Sequence, residues 1–230
     1  MRRAATVVSL ICALGAPGIA LAAPAAVPGG PPADAQMRTV AVTPELAAKG
    51  QAAFAMCVGC HGQEADGRVG MAPRLDSESF LAAASDRMLI ETISKGRTGT
   101  TMIPWLGALK IDQIEGIVAW LRTRNPVGPA TLDESPIKGD SAAGAELFRS
   151  ICAKCHGHSG AGYQEAGSGT GIGRAAFLSA VTNGYLRHLM EHGKSQTPMR
   201  PFGLHNPVAV ANLTPRQIED VIAHLRANAW

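Results

Sequence analysis

The sequence predicts an all-α fold built from two equivalent helical units joined by a short linker. Three observations lead there. The pattern CxxCH occurs twice, at Cys57–His61 and Cys152–His156; the segments after each copy resemble one another; and apolar residues recur at helical intervals, with no alternating strand pattern.

Taken in order, residues 1–22 place Arg2 and Arg3 before an apolar run that ends in Ala20-Leu21-Ala22, the three-part pattern of a secretory signal peptide. A retained anchor is the alternative, but Gly15, Pro17 and Gly18 interrupt the run and it is short for a membrane span. No recognisable motif surrounds the arginine pair, so ordinary export to the periplasm through a Sec-type signal is expected. Cleavage after Ala22 removes Cys12, and the four remaining cysteines are the two CxxC pairs. It also takes two of the 21 basic residues and none of the 18 acidic ones. The mature chain is then close to neutral, which excludes a nucleic-acid binder of the usual basic kind.

Residues 23–42 are rich in Pro, Gly and Ala and are expected to be disordered. A first unit over 43–125 carries three helical signals. Pro44–Met56 is rich in helix formers, Ser85–Lys95 holds Met88, Leu89 and Ile93 at helical spacing, and Ile111–Arg122 presents Ile114, Ile117, Val118 and Leu121 on one face. Residues 126–141, with Pro126, Pro129 and Pro136, read as a linker.

The second unit, 142–230, repeats the first. Phe80–Trp105 aligns without a gap with Phe177–Phe202 at an offset of 97 residues, and Leu109–Arg122 with Leu213–Arg226 at an offset of 104. The growing offset places an insertion in "GLHNPVAVAN", and Thr214-Pro215 supplies a cap and first-turn proline for the last helix. A unit of about 80 to 90 residues buries a modest fraction of its surface, so a group bound at its centre would contribute much to its stability.

CxxCH has the chemistry to attach haem: two thiols add across the vinyl groups and the adjacent imidazole lies under the iron. Zinc would require four ligands per site where each unit offers two thiols and one close histidine, and a thioredoxin-like pair would require a βαβ context that is missing. Haem with one histidine needs a sixth ligand or an open face. Met102 and Met199 fall 41 and 43 residues after His61 and His156, in Gly- and Pro-bearing loops, each two residues before a proline. Met88 and Met190 lie in predicted helices and read as core. Met71 is a rival ligand in the first unit, and His192 or His205 in the second. Asp66, Asp76 and Glu78 read as solvated loop carboxylates, and "GSGTGIG" precedes no nucleotide-binding pattern.

CxxCH, then a Met-Xaa-Pro loop, then an amphipathic last helix resembles class I cytochrome c, here in tandem, from about Pro44 onward. The resemblance implies two cytochrome c-like domains, each wrapped around one covalently attached haem c. Cys57, Cys60, Cys152 and Cys155 would bind the haems, with His61 and His156 as proximal ligands and Met102 and Met199 as distal ones. It also implies that Pro73 offers its carbonyl to the proximal imidazole. Thr170 occupies the aligned position in the second unit, and the two haems are expected to differ in potential partly for that reason. Gly144, Phe148 and Cys152 keep the family's spacing on the first helix, whereas Gly50, Phe54 and Cys57 are one residue tighter.

The expected function is single-electron transfer between redox proteins in the periplasm, with no catalytic residue of its own. The chain would act as a free carrier or as the electron-accepting subunit of an exported dehydrogenase or oxidase, touching the membrane only through an uncleaved signal segment. The alternatives are a dihaem peroxidase-like or other haem enzyme with one open iron, or a ligand sensor.

Overall fold

A computed structural model describes residues 27 and 29–230 except Ala35; the signal-peptide assignment therefore lies outside the described residues. Among these residues every regular element is helical and no strand forms. The first unit runs α1 (Pro44–Phe54), α2 (Val58–His61), α3 (Glu78–Ala83), α4 (Asp86–Lys95) and α5 (Ile111–Arg124). The second repeats it as α6 (Ser141–Leu147), continued by a π turn at Phe148–Cys152, then α7 (Ala153–His156), α8 (Ala175–Leu178), α9 (Asn183–His192) and α10 (Pro215–Ala227).

The helix ends sit where the side chains can cap them. Thr43 accepts from the Leu46 N–H, Ser85 from Met88, Thr182 from Tyr185 and Thr214 from Gln217, each satisfying a donor that the first helical turn leaves free. Thr214 and Gln217 form a reciprocal capping box. No described helix is long and apolar enough to cross a membrane.

In each unit the first helix crosses the last through a glycine. A Cβ on Gly50 would lie 1.8 Å from the Gly116 carbonyl oxygen, and one on Gly144 would lie 1.8 Å from that of Asp220. The aromatic ring one turn on then meets the last helix, Phe54 on Trp120 at 4.4 Å between centroids and Phe148 on His224 at 5.3 Å. Gly116 and Asp220, like Trp120 and His224, are partners at the offset of 104. The tighter spacing in the first unit therefore leaves the helix contact intact. The chain narrows after Phe54, with Met56 N–H donating to Ala53 at 3.2 Å and Cys57 N–H to Phe54 at 2.7 Å, whereas the second unit spends its extra residue in the π turn.

A buried arginine near the end of each last helix ties the middle of the unit together. Arg122 donates to the Leu81 and Ala84 carbonyls at 2.6 and 2.8 Å and to Asp86 at 2.7 Å. Arg226 donates to the Leu178 and Val181 carbonyls and to the Asn183 side-chain oxygen, the aligned partners.

The segment expected to be disordered is extended but well attached where it is described. Arg38 donates to the Leu81 and Ala84 carbonyls, and the Thr39 and Val40 amides donate to Asp86. The Pro, Gly and Ala content gave no helical signal there; the polar backbone nonetheless finds partners on the first unit. The Pro-rich stretch between the units is also fastened, by Ala130 N–H on Ala82 and by Gly184 N–H on Glu134.

The two units meet along equivalent elements. Ser195 N–H donates to Ser79 Oγ at 2.8 Å, Ser79 N–H to Ser195 Oγ at 3.2 Å, and Gln164 reaches the Gly99 carbonyl at 2.9 Å. Arg97 lies over the Phe177 ring, 5.6 Å from its centroid, and Lys194 lies over Phe80 at 4.6 Å. Arg97 aligns with Lys194 and Phe80 with Phe177 at the offset of 97, so these two cation–ring contacts are reciprocal.

Candidate haem sites

Each CxxCH forms a single short helical turn. Cys57 precedes α2 and His61 ends it; Cys152 precedes α7 and His156 ends it. The turn puts both thiols and the imidazole on one short segment, with the first cysteine half-buried and the second exposed in both units. Burial pushes the Cys57 and Cys152 thiols up to about 11, so they stay protonated in the folded polypeptide.

The histidines are oriented from behind. His61 Nδ1 lies 3.0 Å from the Pro73 carbonyl oxygen, and His156 Nδ1 lies 2.7 Å from that of Thr170. A carbonyl only accepts, so Nδ1 carries the proton and Nε2 keeps its lone pair for a metal. Burial lowers the pKa of both imidazoles, against the opposing effect of these carbonyls, which favours the neutral ring that ligation needs. The expected difference between Pro73 and Thr170 is therefore absent at the point of contact: the group used is the backbone carbonyl, which either residue supplies.

The methionine loops are built alike to the level of single hydrogen bonds. Arg97 N–H donates to the Met102 carbonyl and Lys194 N–H to the Met199 carbonyl, both at 2.7 Å. The Met102 N–H donates to Thr100 Oγ1 at 3.1 Å, and the Met199 N–H to Thr197 Oγ1 at 3.2 Å. Each threonine hydroxyl closes the ring on the carbonyl of Arg97 or Lys194. Gly96 and Gly193 permit the turn, at φ of +66° and +70°, where a Cβ would collide with the methionine carbonyl.

In the first unit Cys57, Cys60, His61 and Met102 all line one cavity, whose walls include Phe54, Leu75, Leu89, Ile93 and Leu121. The donor set and the apolar walls fit a flat macrocycle held by two thioether bonds. Met71 opens onto the same cavity from an exposed loop and remains a neighbour of the site. In the second unit Met199 is partly buried against the core, while His192 is exposed, stacks on His188 at 4.3 Å and turns its Nδ1 to the His188 carbonyl. His205 is exposed on the inserted loop.

Sequence reasoning missed the residues that reach into the first site from the second unit. Phe177, Tyr185 and Lys194 line the first unit's cavity together with its own Arg97. Burial lowers the Lys194 ammonium to about 8. The alignment of Gly96-Arg97 with Gly193-Lys194 was the available signal, since it set a cation at the same loop in both copies.

The family model described as Cytochrome c matches residues 141–229, and that described as Cytochrome C oxidase, cbb3-type, subunit III matches residues 45–121. The chain is a tandem cytochrome c. Cytochrome c domains hold haem c covalently. It is similar to the cbb3-type cytochrome c oxidase subunit FixP of Azorhizobium caulinodans, 29% identical over 175 residues that cover 66% of this chain and 56% of that protein. It is also similar to subunit CcoP of Rubrivivax gelatinosus, 26% identical over 188 residues that cover 81% of this chain and 56% of that protein. The cytochrome thus spans about half the length of these curated relatives. Among solved structures, the Kuenenia stuttgartiensis reducing HAO-like protein complex Kustc0457/Kustc0458 covers 84% of this chain and 100% of its own, with a TM-score of 0.50. At 19% identity that likeness bears on the fold alone.

Proposed function

We propose that this cytochrome is a dihaem carrier of single electrons, with one haem c in each of the units 43–125 and 142–230 and 126–141 as the connecting segment. Cys57, Cys60, Cys152 and Cys155 form the thioether bonds, His61 and His156 are proximal ligands, and Met102 and Met199 are distal ones. The observation that carries the proposal is the duplication of the site down to its hydrogen bonds: carbonyl to imidazole Nδ1 on one side, and the threonine-closed methionine loop on the other.

When bound, haem with one imidazole and one thioether supplies a six-coordinate iron whose reduced form the sulfur favours. The polypeptide fixes both ligand-bearing loops, favours the neutral imidazoles and would surround the first unit's haem with apolar side chains. Such a centre exchanges electrons with little rearrangement and leaves no open position for substrate.

The relatives named as oxidase subunits support a place as the electron-accepting subunit of an exported oxidase, and the leader pattern at residues 1–22 supports the periplasm. The partners are redox proteins that donate to one haem and accept from the other. Haem content per chain and optical spectra of the purified holoprotein test the proposal. Two haems, low-spin spectra with the weak far-red sulfur-to-iron band, and no response to carbon monoxide are expected. A haem that takes up carbon monoxide at neutral pH would favour an enzyme or sensor instead. Fractionation of the producing cell tests the location.

A further inference from the structure

Lys194 belongs to the second unit but its side chain is spent on the first. It lines the cavity that contains Cys57, Cys60, His61 and Met102, and its ammonium lies 4.6 Å from the centroid of Phe80 in that unit. Among the described residues the ammonium makes no hydrogen bond and no salt bridge. The carboxylate in its neighbourhood, Asp76, is taken by Arg74, 2.6 Å away. Arg97, at the aligned position in the first unit, contrasts with it. That guanidinium donates to the Ala176 carbonyl at 2.7 Å and to Thr92 Oγ1 at 2.8 Å, so it has protein acceptors where the Lys194 ammonium has none among the described residues.

A partly buried cation without an acceptor is costly unless an anion completes it. Haem brings two carboxylates on one edge of the ring, and the cavity that Lys194 enters is the one proposed to hold the first haem. We infer that Lys194 of the second unit is the counterion of a carboxylate on the first unit's haem, so that one unit sets the charge environment of the other's iron. Arg97, its aligned partner, lines the first unit's own cavity. The contact inferred here runs from the second unit to the first haem.

This rests on the dihaem reading above, and the test separates the two. Potentials of both haems are measured by optical titration of the full two-haem protein, wild type first. Met102→His and Met199→His each lower the potential of their own haem and so assign the two. Lys194→Gln and Lys194→Met, the second keeping most of the apolar stem, are then expected to lower the first haem's potential. The expected size is roughly a tenfold change in its oxidised-to-reduced ratio at fixed applied potential, the order for losing one partly buried charge. The second haem stays within error, and Lys194→Arg restores the wild-type value. A first haem unmoved by both neutral variants, or a larger shift in the second haem, would overturn this inference alone. Fewer than two haems, or no response to either methionine replacement, would overturn the dihaem reading and this inference with it.

Discussion

His156 Nδ1 lies 2.7 Å from the carbonyl oxygen of Thr170, a contact matched in the first unit by His61 and Pro73 at 3.0 Å. The aligned residues share no side-chain chemistry, yet their backbones do the same work.

Because the contact is made by backbone, Thr170→Val is expected to leave the far-red band and both haem potentials unchanged. Gly169→Ala should behave differently. A Cβ there would sit 2.8 Å from both Nδ1 and Cε1 of His156, so the ring must tilt or the loop must move. A shift of the second haem's potential in Gly169→Ala alone, followed by optical titration, is the expected pattern; equal shifts in both variants would count against it.

The helix crossings predict a steric asymmetry with ordinary propensity. Alanine normally favours a helix over glycine by about 1 kcal/mol. At Gly50 and Gly144 the added carbon would meet a carbonyl oxygen at 1.8 Å, so overpacking dominates. Gly50→Ala is expected to destabilise by about 1–3 kcal/mol or more. Denaturant unfolding followed by far-ultraviolet circular dichroism measures it, with the exposed Gly128→Ala, whose added carbon meets nothing within 4 Å, as the tolerated control.

Removing Arg122 leaves the buried Asp86 carboxylate without its ion-pair partner, although the Thr39 and Val40 amides still reach it and Arg38 still donates to the Leu81 and Ala84 carbonyls. Arg122→Met is expected to cost about 3–5 kcal/mol, the range for breaking a buried pair by deleting one partner. Asp86→Asn should cost less, since the second unit already runs the same clamp with Asn183 facing Arg226. A larger loss in Asp86→Asn than in Arg122→Met, measured as unfolding midpoints of the holoprotein, would refute this ordering.

Asp140 offers a dependence on acidity whose sign is fixed by geometry. Its carboxylate accepts from the Ala143 and Ala142 amides, which hold its pKa below the usual carboxylate value. The charged cap thus contributes above the unfolded pKa of about 3.9 and is lost as pH falls through the lower folded value. Asp140→Asn keeps an acceptor at the cap without a titrating charge. The stability difference between wild type and variant is therefore expected to hold at neutral pH and to shrink or reverse in acid; a pH-independent difference would contradict it.

Much of this was legible in the residues. Helical spacing placed α4 and α5, Thr214-Pro215 placed the start of α10, and the spaced thiols and imidazoles singled out the positions that the fold sets on matching turns. Backbone acceptors were harder to read. The carbonyl of Thr170 carries no signature in its side chain, so alignment to Pro73 did not reveal that the same kind of acceptor is present in both units. The extended stretch around Arg38 was misread for a related reason: composition reports what a segment cannot bury alone and is blind to carbonyls that a folded neighbour exposes to it. Cross-unit contacts such as Lys194 on Phe80 leave only the faint trace of a cation repeated at the same loop.

The π turn at Phe148–Cys152 follows the helix crossing and precedes the thiols. In an unbroken α-helix one added residue would rotate everything after it by about 100° and point Cys152 away from its present direction. Here the widened turn takes up the extra residue and returns the chain to phase before the attachment segment. A gain or loss of length between glycine and cysteine can thus pass through a lineage unseen by either the packing upstream or the chemistry downstream, which lets two copies of one unit diverge in length while both keep the same attachment turn.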